Sequence, residues 1–116
     1  MHVDTRTSGS VAVVAVSGSM NEEISGPSPL VREVTALLDR GVGNLLLHVG
    51  DVQTADSLTV SGLVQAYVTT RRRGACVKFV NVPPRLRHLL RVTKLDTVLE
   101  IFDAEDAALA SFVASP

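Results

Sequence analysis

Residues 44–82, NLLLHVGDVQTADSLTVSGLVQAYVTTRRRGACVKFVNV, carry the reading that sets the fold. Leu45 to Val49 form a short apolar run, as a strand covered on both faces requires. Asp56 or Ser57 then offers a helix N-cap. Beyond them Val60, Leu63, Val64 and Tyr67 recur at helical spacing, with Ala66 nearby. Arg71, Arg72 and Arg73 fall in the last turn, where cations suit the negative end of a helix, and Gly74 ends it. ACVKFVNV, residues 75–82, reads as the next strand, with Cys76 as a small buried hydrophobe. Pro83 and Pro84 close that strand.

The same alternation continues outward. Upstream, VAVVAVSG (11–18) is β-branched and nearly all apolar, and Ser17 and Gly18 end it. A loop of residues 19–29, SMNEEISGPSP, leads to a helix starting near Ser28 with Pro29 at its first position. Leu30, Val31, Val34, Leu37 and Leu38 supply its apolar side, and Gly41 and Gly43 stop it before the strand at Leu45. A helix between two apolar strands is the right-handed βαβ crossover. Downstream, Pro84 opens a short helix with Leu86, Leu89 and Leu90 inward and Arg85, Arg87 and Arg91 outward. A final strand is expected around Val98 to Ile101, and Asp103 should cap a last helix offering Ala107, Ala108, Phe112 and Val113 for burial. The expectation is an α/β fold: a mostly parallel, four- to five-stranded sheet with helices packed against it. Residues 1–10 are a flexible N-terminus or a first edge strand, and 11–116 form a single domain.

Composition bounds the function. The 116 residues are 46% apolar and 20% charged, as a folded domain should be. Twelve acids against eleven bases, a net charge of -1, argue against general nucleic-acid binding. The one cysteine, Cys76, excludes an intrachain disulfide, and no Cys/His spacing suggests zinc. No stretch approaches the ~20 apolar residues of a membrane span, and the polar start does not suit a secretion signal, so the cytoplasm is expected.

Enzymatic signatures are missing. There is no glycine-rich nucleotide cradle. The only histidines are His2, His48 and His88. His48 lies mid-strand, in a packing or sheet-face role, and His88 belongs to a basic helix near solvent. Neither composes a nucleophile–base pair. No metal or other cofactor is expected.

Ser57 stands out, because helix-start amides stabilise anions and a phosphate there would add about -1.5 to -2 charge without unfolding the helix. The plainer alternative is that Asp56-Ser57 is only a cap. The charge map is uneven: residues 71–94 hold eight of the eleven bases, including Lys78, and residues 21–56 hold six acids against two arginines. Such polarity steers a charged partner or orients self-assembly, or else marks solvated helix faces.

Together these segments resemble the STAS domain, the fold of bacterial anti-sigma factor antagonists and stressosome scaffolds. The family's first marked strand ends in S-G-x-L-D, where Val16-Ser17-Gly18-Ser19-Met20-Asn21 stands here. Its second runs into D-S-[SAT]-G-L-G, matched by Asp56-Ser57-Leu58-Thr59-Val60-Ser61 and followed by Gly62-Leu63-Val64. KFVNVPPRLRHLLRVTKLDTVLEIFDAEDAAL (78–109) resembles the family's strand, short helix, T-x-L turn and closing helix. The resemblance implies an anti-sigma factor antagonist without catalytic turnover, exchanging partners with an anti-sigma serine kinase that brings its own nucleotide and metal. It implies phosphorylation at Ser57, with Thr59 and Ser61 as alternative hydroxyls. It implies a partner-binding surface of Ser19, Asn21, Glu22, Asp56, Ser57, Leu58, Thr59, Ser61 and Gly62. Two other readings stand beside it. One is a STAS scaffold or transporter-associated subunit without a phospho-switch, with homo-oligomerisation. The other is a small-ligand-binding domain on a flavodoxin-like sheet.

Overall fold

The computed structural model describes residues 1–19 and 28–114, with side chains described as far as Phe112. Five strands and four helices follow one another as β1 (His2–Ser8), β2 (Val11–Gly18), α1 (Pro29–Asp39), β3 (Asn44–Val52), α2 (Ser57–Arg72), β4 (Cys76–Val80), α3 (Pro84–Val92), β5 (Ile101–Phe102) and α4 (Glu105–Ala114). Spatial order equals chain order, β1-β2-β3-β4-β5. The first pair is antiparallel and the other three are parallel. Residues 2–8 therefore form a full edge strand, returned by a tight turn in which Gly9 adopts φ +60°, a value glycine takes without strain.

Alternation along the strands sorts side chains to two faces. Val14 and Val16 of β2 and Leu45, Leu47 and Val49 of β3 meet Leu30, Val34, Leu37 and Leu38 of α1, Leu63 and Ala66 of α2, and Leu86 and Leu90 of α3. The other face, Val11, Val13, Leu46 and Val80, is covered by Ala108 and Phe112 of α4. Truncating a fully buried leucine such as Leu63 to alanine should cost about 2–5 kcal/mol. Ser28 caps α1, its hydroxyl accepting the Val31 amide at 3.2 Å, with Pro29 at the first helical position.

The C-terminal part departs from the sequence expectation. Lys94 takes φ +62°, and Leu95–Thr97 curl into a 3₁₀ turn whose Leu95 carbonyl accepts the amides of both Val98 and Leu99. Val98 is thereby turned to solvent, and the last strand shortens to Ile101–Phe102. Asp103 does not cap α4. Its carboxylate accepts from Arg87 Nη2 at 2.8 Å, and the helix opens two residues later. Ala107 is exposed, whereas Ala108 and Phe112 point inward. Strand β4 ends at Val80 because Asn81 adopts φ +58°. Cys76 is exposed rather than buried, since it sits at the first position of that strand.

Candidate functional site

The C-terminal ends of β2 and β3 come together where chemistry was expected. The Gln53 amide donates to the Gly18 carbonyl at 2.8 Å, tying the segment before α2 to the end of β2 and its neighbour Ser19. Asn21 and Glu22 lie outside the described residues.

Helix α2 begins with a polar knot. Asp56 is its N-cap in an extended conformation, φ -139°. One carboxylate oxygen, Oδ1, accepts both the Thr59 amide at 2.9 Å and the Thr59 hydroxyl at 3.0 Å. The Thr59 hydroxyl also lies 2.6 Å from that of Thr54. Thr59 is wholly buried, so its hydroxyl is a structural group, not a surface one. Gly62 is buried one helical turn further on. These two residues therefore do not belong to the exposed surface on which the sequence placed them: the i, i+3 spacing aims both toward the sheet.

What remains outside is coherent. Ser57, the first residue of α2, is exposed, and within the described residues its hydroxyl makes no hydrogen bond. Leu58 beside it is 59% exposed, unusual for a leucine in a helix that has a core available. Ser61 is exposed and accepts a hydrogen bond from Gln65 Nε2 at 3.2 Å. Leu58, Ser61, Gln65 and Val68 then continue at spacings of three and four, one exposed stripe along the helix. Val68, 37% exposed, is a member that the sequence analysis did not single out. Alongside, Ala55, Pro84, Arg85, His88 and Leu89 line an open groove of about 380 Å³ between the start of α2 and α3.

Most of the basic segment is exposed, Arg71, Arg72, Arg73, Arg85, Arg91 and Lys94 among it, but not all of its charge is free. Lys78 is only 5% exposed, Arg73 is paired with Asp39 at 2.8 Å, and Arg87 is paired with Asp103. His48 makes a sheet-face contact, its Nε2 lying 2.7 Å from Asn81 Nδ2. Among the described residues no cluster of His, Cys, Asp and Glu is arranged to hold a metal ion, and no helix is long and apolar enough to cross a membrane.

A mixed sheet with three helices on one face, one on the other, and an exposed serine opening the helix after β3 defines a small α/β domain. The STAS domain pattern matches residues 2–108, and the chain belongs to that family. A Thermotoga neapolitana homologue of TM1081, named for anti-sigma factor antagonism, is 28% identical over 72 residues, 62% of this chain and 64% of that protein. The match thus spans less than two thirds of that relative. Among solved structures, an anti-sigma factor antagonist from Mycobacterium paratuberculosis superposes with a TM-score of 0.78 at 21% identity, covering 95% of this chain and 92% of that one. The Bacillus cell-fate determinant SpoIIAA in its phosphorylated form gives a TM-score of 0.68 at 10% identity, over 96% of this chain and 99% of that one.

Proposed function

We propose that this protein is an anti-sigma factor antagonist that works by partner switching with an anti-sigma serine kinase, gated by phosphorylation of Ser57. The observation that carries the reading is the division of labour at the start of α2. Asp56, Thr59 and Thr54 are joined by hydrogen bonds that hold the helix end. Ser57 is left exposed, with a hydroxyl the cap does not use. A kinase can take that oxygen without opening the fold. The likeness to antagonists, one of them solved in a phosphorylated form, supports the same reading.

In the transfer, Ser57 Oγ bonds to the γ-phosphorus of ATP held by the partner. The bond to the β–γ bridging oxygen breaks, ADP leaves, and the hydroxyl proton passes to a base of the partner or to water. The product carries about -1.5 to -2 charge beside the apolar Leu58, at the centre of the surface a partner would cover. Charge and bulk there spoil a close contact, while the helix-start amides keep the modified chain folded.

Thr59 is excluded as the acceptor by burial, so the hydroxyls that compete are Ser57 and Ser61. The docking surface comprises Ser57, Leu58 and Ser61 together with Ser19, and the resemblance adds Asn21 and Glu22, which lie outside the described residues. Asp56 acts behind it by shaping the helix start. The protein turns nothing over; nucleotide and metal belong to the kinase. The decisive experiment incubates the chain with its cognate kinase and ATP and maps phosphate by mass spectrometry. Phosphate on Ser57, lost in Ser57→Ala, is expected. Binding to the kinase without any incorporation would instead favour a scaffold that uses the apolar stripe of α2 permanently.

A further inference from the structure

Strand β1 is an edge, and its outer side is unpaired among the described residues. Its seven residues run in unbroken register with β2, without a proline, a lysine or a bulge. Those are among the devices by which edges are protected from pairing; the charges β1 does carry, Asp4 and Arg6, are opposite in sign and so repel a second copy only in some registers, which leaves a row of backbone donors and acceptors available. Alternation puts His2, Asp4, Arg6 and Ser8 on the α4 side, where Arg6 donates to Glu105. Val3, Thr5 and Thr7 face the α1 side, where Thr5 donates to Glu33. Asp4 and Arg6 are well exposed, with side chains 78% and 56% accessible.

We propose that β1 pairs antiparallel with β1 of a second copy of this chain, about a two-fold axis midway between the two Thr5 residues, so that Asp4 of each copy faces Arg6 of the other. The reading does not depend on the role of Ser57, since the pairing uses neither α2 nor the groove beside α3. The symmetry narrows the choice. A continuous sheet with α4 on the same face in both copies needs a two-fold axis perpendicular to the sheet, which runs between the strands, midway between the two copies of one residue. Centred on Asp4, the pairing sets Asp4 against Asp4 and uses residues 2–6 alone. Centred on Arg6, it sets Arg6 against Arg6 and uses residues 4–8 alone. Centred on Thr5, it uses the whole of residues 2–8 and sets opposite charges against each other on both sides of the axis. Directly opposed charges of opposite sign favour a cross-strand pair, and like charges oppose it. Full overlap and charge therefore select the same register. The Arg6 guanidinium has donors enough to hold Glu105 of its own chain and Asp4 of the other copy together.

Sedimentation of the intact chain tests this. The expected particle is twice the 12.3 kDa of one chain. Asp4→Arg leaves only positive charge at the two positions, and Arg6→Asp leaves only negative charge. Each variant alone should dissociate about tenfold or more readily than the wild type, with an unchanged far-ultraviolet dichroism spectrum. Mixed in equal amounts, the two should dimerise with each other, because every facing pair is then opposite in sign. A single-chain particle for the wild type at about 1 mM protein, the weak end of specific association, overturns the proposal. So does a dimer that both substitutions leave intact, or a mixture that stays dissociated although both variants are folded.

Discussion

The carboxylate of Asp56 holds Thr59 twice, by its amide at 2.9 Å and by its hydroxyl at 3.0 Å, and Thr54 closes the arrangement at 2.6 Å from the same hydroxyl. The relationship makes the start of α2 rigid at the point where Ser57 is displayed. Where the resemblance puts a glycine, this chain has a threonine, and the threonine turns inward to complete the cap. Asp56→Ala should destabilise the fold by about 0.5–2 kcal/mol. Thr59→Val, which removes the hydroxyl that Asp56 and Thr54 both contact, should cost about 1–3 kcal/mol. The double variant should lose less than the sum, since both changes break one network. Urea unfolding of the four proteins measures it, and strict additivity would show that the two groups act separately.

Substitution at Ser57 separates stability from docking. The side chain is exposed and outside the cap network, so Ser57→Ala should unfold within about 0.5 kcal/mol of the parent. Ser57→Asp places a negative charge in the first turn, where the helix dipole favours it by about 0.3–1 kcal/mol. The aspartate variant should therefore be as stable as the parent or slightly more so, and yet bind the kinase at least about tenfold more weakly. Thermal unfolding and calorimetric titration are read side by side. A destabilised aspartate variant would mean that the position is not the free helix start described here.

Leu58 and Val68 are apolar side chains that the core does not use, 59% and 37% exposed on one side of α2. Interfaces concentrate their energy in a few central groups. Leu58→Ala should weaken partner binding by about 1–2 kcal/mol while changing stability by less than about 0.5 kcal/mol. Val68→Ala, further from Ser57, should lose less. Equal binding by both variants and the parent would move the docking surface off this stripe, toward the groove at Arg85 and His88.

Much of this was legible in the chain. Helices α1, α2 and α3 begin where the signals at Ser28-Pro29, Asp56-Ser57 and Pro83-Pro84 place them, because caps and prolines act locally. The last strand was expected around Val98 to Ile101 and is instead Ile101–Phe102, because the apolar residues before it also suit a 3₁₀ turn, and only the carbonyl of Leu95 catching two amides decides between them. Thr59 and Gly62 were placed on the surface because motif spacing tells which residues are neighbours, not which side of the helix meets the sheet. Asp56 announced itself as a cap. That Thr54 would reach Thr59 left no signal beyond two threonines five residues apart, as the contact depends on the path of the intervening segment.

Lys78 shows most clearly how composition misleads. Counted with the basic segment, it is in fact 5% exposed on the α4 face of β4. Its amine donates to Ser111 at 2.7 Å and lies 4.5 Å from the ring centroid of Phe112, with Glu100 at 3.6 Å. The stem fills space under α4 while the charged end is satisfied by a hydroxyl, a carboxylate and a ring face. A buried charge of this kind is costly to desolvate, so its attractions largely offset a penalty. Lys78→Met keeps the stem and removes both terms, and should unfold within about 1 kcal/mol of the parent. Lys78→Ala removes the stem and leaves a hole beneath Phe112, and should lose about 2–4 kcal/mol. Denaturant midpoints of the two variants distinguish packing from charge: equal damage in both would show that the ammonium contacts, and not the stem, hold α4 on the sheet.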